Sequence, residues 1–103
     1  MLNIEEGRKL LLDLGFVNDE PVERSQYLQY RRKLSQYGGN DVIIVVNPHT
    51  ISLTYHMDDV MIDKTRQAPK NTADMLRDIN TFMYLLETMG ASDYGKLNER
   101  GLL

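Results

Sequence analysis

Val42-Ile43-Ile44-Val45-Val46, then Asn47-Pro48-His49-Thr50, then Ile51-Ser52-Leu53-Thr54-Tyr55-His56-Met57 is the stretch whose reading decides the fold. A run of five β-branched residues and an alternating apolar and polar run flank four turn residues, which is the pattern of a β-hairpin. Asn at the first and Pro at the second turn position suit a type I turn. In the second run Ile51, Leu53, Tyr55 and Met57 alternate with Ser52, Thr54 and His56, so one face is buried and the other is polar. The first run has no polar alternation, which predicts a central strand covered on both faces.

A central strand needs a neighbour on each side, and a lone hairpin is marginal in water. The segment 26–34 supplies the neighbour. As a strand it points Leu28, Tyr30 and Leu34 inward and Tyr27, Gln29, Arg31 and Lys33 outward, with Arg32 as the misfit. As a helix it has Pro21 in the first turn, Tyr27, Tyr30, Leu34 and Tyr37 at spacings of three and four, and Gly38-Gly39 as a stop. The need for a third strand decides for the strand, with a helix over 22–37 as the alternative.

Helices flank this sheet in the sequence. Asn3 is a good N-cap with Glu6 at the third helical position, and Ile4, Leu11 and Leu14 recur at helical spacing with Leu10 beside them. Gly15 suits the left-handed position after that helix, and Phe16 is placed to fold back on Leu11. Residues 17–20 read as a polar loop. Residues 58–70 read as an irregular surface connection in which Val60, Met61 and Ile62 pack down or form a short edge pairing. Asn71 caps a final helix running to Gly90, with Met75, Ile79, Phe82, Leu86 and Met89 spaced 4, 3, 4, 3. Leu76, Met83 and Leu85 widen its apolar stripe, which suits a helix lying across a sheet or shared with a second subunit.

The expected architecture is therefore α+β, αβββα, with a three-stranded antiparallel sheet packed against N- and C-terminal helices. Residues 1–90 form one domain, and 91–103 a polar C-terminal tail. A chain of 103 residues, 42% hydrophobic and 26% charged, buries roughly 65% of its unfolded surface and needs no staples. It contains no cysteine, so disulfides, thiolate metal sites and a cysteine nucleophile are excluded, and a reducing cytoplasm is the expected setting. Glu5 and Glu6 stand where a secretory signal carries positive charge, and no run approaches the ~20 apolar residues that span a bilayer. No membrane association is expected. The net charge of −3, from 12 basic and 15 acidic residues, gives no overall field for nucleic acid or anionic lipid.

His56, Asp58, Asp59 and Asp63 are the one local cluster of metal-ligating types, but their spacing fits no fixed coordination geometry, and aspartates after a strand are usually solvated turn residues. His49 is read as a turn residue. The serines are scattered without a neighbouring base, and Gly38-Gly39 leads into Asn40 and a strand, not into a lysine and a helix. No catalytic residue, metal ligand or cofactor is therefore assigned, and a small metal-dependent enzyme ranks last among the readings. Arg24, Tyr27, Tyr30, Arg31 and Lys33 form the one basic and aromatic region, where rings could stack on bases while arginine meets phosphate. Charges that keep an edge strand from aggregating account for the same residues more simply. Met75, Ile79, Phe82, Leu86 and Met89 form a candidate dimer face, although so short a seam is more often the face that covers a sheet.

The N-terminal helix ending in Leu14-Gly15-Phe16, the Tyr-rich strand, the hairpin and the C-terminal helix ending in Met89-Gly90 together resemble small uncharacterised proteins of phages and prophages in Gram-positive bacteria. The resemblance implies helices sandwiched on one sheet, a cytoplasmic setting and an accessory or regulatory role through binding. The leading expectation is a non-enzymatic module acting through a protein partner, including a second copy of itself. Nucleic-acid binding through the Tyr and Arg face is the second reading.

Overall fold

A computed structural model of the protein describes residues 1–22, 24–34, 40–57 and 60–88. The element order is α1 (Ile4–Asp13), β1 (Val17–Asn18), β2 (Leu28–Lys33), β3 (Asn40–Val46), β4 (Thr50–Met57), β5 (Val60–Gln67) and α2 (Thr72–Thr88). The five strands form one antiparallel meander in sequence order, with β3 at its centre.

Local chemistry sets the ends of these elements. Asn3 accepts the Glu6 N–H at 3.0 Å, and Asn71 accepts the Asp74 N–H at 2.8 Å, so both helices start on side-chain caps. After α1, Gly15 takes a φ of +88°, the Gly15 N–H donates to Leu12 O, and the Phe16 N–H donates to Leu11 O at 2.9 Å. Phe16 and Leu11 are both buried, which completes the Schellman ending. In the hairpin, Asn47 Oδ1 accepts the N–H groups of His49 and Thr50 at 2.8 and 2.9 Å, and its Nδ2 donates to Thr50 Oγ1. Replacing Asn47 with Ala leaves both amides without this acceptor, and the expected loss of stability is about 1–2 kcal/mol in urea unfolding. An unchanged midpoint would show that water replaces the side chain fully.

Both helices lie on one face of the sheet. Leu28, Tyr30, Val42, Ile44, Val46, Ile51, Leu53, Tyr55 and Met57 meet Leu2, Leu11 and Phe16 from the N-terminal region and Met75, Ile79, Phe82 and Leu86 from α2 in a single core. Helix α1 comes close enough that a Cβ on the buried Gly7 would sit 3.2 Å from both Leu2 Cδ2 and Leu28 Cδ1. Gly7→Ala should stay within about 1 kcal/mol of the wild type, because higher helix propensity offsets the tight fit. Gly7→Val should cost about 1–3 kcal/mol by overpacking. Equal urea midpoints for the two variants would mean that α1 lifts freely from the sheet.

The structure corrects the sequence reading in two places. The sheet has five strands, not three: the stretch read as an irregular connection is β5, which pairs with β4 along its whole length, and the polar loop after α1 contributes β1. Strand β3 is central, but both helices among the described residues lie on one face of it, and Ile43 and Val45 on the other face are half-buried. The apolar stripe of α2 packs into the core over the sheet, the use the sequence favours for so short a seam: Met75, Ile79, Phe82 and Leu86 are at most 3% exposed within one chain. Met89, Gly90, Tyr37, Gly38-Gly39 and the 91–103 tail lie outside the described residues. The segment 28–33 is a strand, as the alternation predicted. No helix among the described residues is long and apolar enough to cross a membrane.

Candidate functional site

Strand β5 is the last strand of the sheet, so one of its edges has no partner strand among the described residues. The phase of its ladder follows from the end beyond the strand. The Ala68 N–H donates to His49 O at 3.0 Å, in register with the Arg66 to Ile51 pair. Alternation along an antiparallel pair then turns the backbone N–H and C=O groups of Ile62, Lys64 and Arg66 toward β4. Those of Met61, Asp63, Thr65 and Gln67 point away from the sheet.

Side chains follow the same alternation. Ile62, Lys64 and Arg66 stand beside Tyr55, Leu53 and Ile51 on the helix-bearing face. Between α2 and the strands β4 and β5 lies a groove of about 400 Å³. Leu53 and Phe82 form its buried floor, the half-buried Leu85 and Asp78 its α2 wall, and Lys64 and Arg66 its outer rim. Both rim cations are exposed, and neither forms an ion pair with another described residue. Tyr84, 74% exposed, flanks the same groove. The arrangement offers backbone hydrogen bonds, apolar surface and two cations along one line.

A larger cleft of about 620 Å³ lies at the start of α1, bordered by Leu2, Glu5, Arg8 and Arg24. Its charged groups are already engaged. Arg8 Nη1 donates to the Tyr30 hydroxyl at 3.1 Å and lies 3.8 Å from Glu20 Oε1, while Arg24 stacks 3.8 Å from the centroid of the Tyr27 ring. The hydrogen bond to Tyr30 pushes the Arg8 guanidinium further above its ordinary value, against the partial burial that opposes it. This cleft is an internal polar network with little left to offer a ligand.

The residues singled out from the sequence are distributed differently from expectation. Arg24, Tyr27, Tyr30, Arg31 and Lys33 do not share one exposed face: Tyr30 is 1% exposed on the helix side, and the Arg31 guanidinium lies 3.4 Å from both Asp19 and Asp41 on the opposite side. Tyr27 donates to Gln29 Oε1 at 2.6 Å. Among these five, Lys33 is an exposed cation without an ion pair to a described residue. His56 is exposed on the outer face opposite Met61, and Asp63 accepts from Thr54 Oγ1 at 3.4 Å in the neighbouring row. Asp58 and Asp59 lie outside the described residues, and no metal-binding group of three such residues occurs among those described. Lys64 and Arg66 were missed because they sit where an inward-facing strand position is ordinarily apolar.

Comparison with known proteins gives no match to a family model, to a curated protein or to a solved structure.

Proposed function

We propose that the protein is a binding module that takes up an extended segment of a partner protein as a sixth strand on the outer edge of β5, which has no partner strand among the described residues. One observation carries the reading: the outward backbone groups of Met61, Asp63, Thr65 and Gln67 run beside the groove of Leu53, Phe82 and Leu85. In strand addition the main chain supplies affinity and pockets for alternate side chains supply specificity. Every second side chain of an added strand would project over this groove. A long edge strand is otherwise an aggregation hazard, and Asp63, Lys64 and Arg66 supply charges that keep β5 from pairing indiscriminately. Capture of this kind would give the accessory or regulatory role implied by the likeness to small phage proteins.

The test uses a capped octapeptide of alternating Thr and Val and the same peptide N-methylated at every second amide, titrated by fluorescence polarisation. Strand addition predicts saturable binding of the first. For the N-methylated peptide whose blocked amides face β5, it predicts affinity at least about tenfold weaker, because each blocked amide removes a backbone hydrogen bond. Equal binding of parent and methylated peptides in both methylation phases would overturn the reading.

A further inference from the structure

We infer that the segment captured at β5 is acidic on its α2-facing side, carrying carboxylates opposite Lys64 and Arg66 and an aliphatic side chain opposite Ile62. This rests on the strand-addition reading and adds the chemistry of the partner. An antiparallel sixth strand would read acidic-x-acidic-x-aliphatic from the Arg66 end toward the Ile62 end. Its inward residues would face Ile62, Lys64 and Arg66 across non-hydrogen-bonded positions, where opposing Cα atoms approach to about 4.5 Å and side chains are closest.

Charge complementarity points to an acidic occupant. The protein as a whole is negative, at −3, yet the groove is lined by two cations and one carboxylate, Asp78. The cations stand exposed on the rim beside the buried Leu53 and Phe82, so their attraction for a carboxylate is strongest at low salt.

A second copy of this chain fits the edge poorly. In a two-fold antiparallel pairing across a continuous sheet, residues on one face meet residues on the same face. The registers that join most of β5 to itself are then centred on Asp63 or on Lys64. The first sets Asp63 against its symmetry mate, and the second sets Lys64 against its own. Like charges directly opposite are destabilising, so the edge selects for a different, acidic strand.

Two capped octapeptides test this, Thr-Glu-Thr-Glu-Thr-Val-Thr-Val and its counterpart with Lys in place of both Glu residues. Their affinities are compared by fluorescence polarisation at low salt on the full chain and on the Lys64→Glu/Arg66→Glu variant, whose fold is checked by circular dichroism. The Glu peptide should bind about tenfold tighter to the wild type, and the preference should invert in the variant. Equal affinity for both peptides, lost on N-methylation, would overturn the acidic preference while leaving strand addition intact. Binding of neither peptide would overturn both. A Glu preference unchanged in the double variant would move the acidic contact away from β5 and overturn the inference.

Discussion

Phe82→Ala lowers the unfolding free energy by about 3–5 kcal/mol, the largest single loss expected at any residue lining the groove. Phe82 is 3% exposed and meets both the sheet and the groove floor, so its removal leaves a cavity that α2 cannot close without sliding over β4. Against a total stability of roughly 5–15 kcal/mol for a domain of this size, that is a large fraction. The thermal midpoint should fall by roughly 12 °C or more, using about 4–8 °C per kcal/mol. Tyr84→Ala, on the same helix but at a 74% exposed position, should change stability by no more than about 0.5 kcal/mol. Calorimetry of the two variants separates core from surface on α2. Similar losses in both would place the helix in a different rotation about its axis.

The second large effect is a contrast between adjacent residues of β5. Lys64→Pro should cost about 2–3 kcal/mol, because the Lys64 N–H belongs to the ladder with Leu53 and its loss leaves a carbonyl on the inner strand without a donor. Thr65→Pro should cost under about 1 kcal/mol, since the Thr65 N–H faces away from the sheet and edge positions of that phase accept proline. What Thr65→Pro gives up within the fold is the exposed Ser52 to Thr65 hydroxyl contact at 3.3 Å. For partner binding the order reverses. Thr65→Pro removes a donor at the middle of the docking edge and should weaken capture of an extended peptide at least about tenfold while the fold survives. Urea unfolding and peptide titration of the two variants give both halves of the contrast. Equal stability losses would reverse or abolish the ladder phase on which the docking edge depends.

What the sequence makes legible here follows from how local each signal is. The caps at Asn3 and Asn71, the Gly15-Phe16 ending and the Asn47-Pro48 turn each operate within a few residues, and the structure shows them in those roles. The turn is of the unprimed kind, since Gln26 is the one non-glycine residue with positive φ among those described. Strand β2 is readable from alternation, with its misfit Arg32 half-buried beside Gly15. Strand β5 is not, because Val60-Met61-Ile62-Asp63-Lys64-Thr65-Arg66-Gln67 places Lys and Arg at two of its inward positions and Met61 on the outer face. Its strand character comes from pairing with β4, a tertiary effect that no window of eight residues contains. The groove was hidden for the same reason: Lys64 and Arg66 look like solvated loop cations until Phe82 and Leu85 are set beside them by a helix distant in sequence. Conversely, the stripe of α2 was readable as apolar, but whether it faces its own sheet or another chain is decided by packing alone.

The most direct test of strand capture is a titration of ¹⁵N-labelled protein with the Glu-containing octapeptide, followed by two-dimensional amide spectra. Strand capture predicts that the largest shifts fall on Met61, Asp63, Thr65 and Gln67, with smaller changes at Ile62, Lys64 and Arg66 between them, an alternation that reports hydrogen bonding along the outer edge of β5. Shifts concentrated on the outer sheet face around Arg31 and Thr54, or at the cleft beside Leu2 and Arg24, with β5 unmoved, would contradict it.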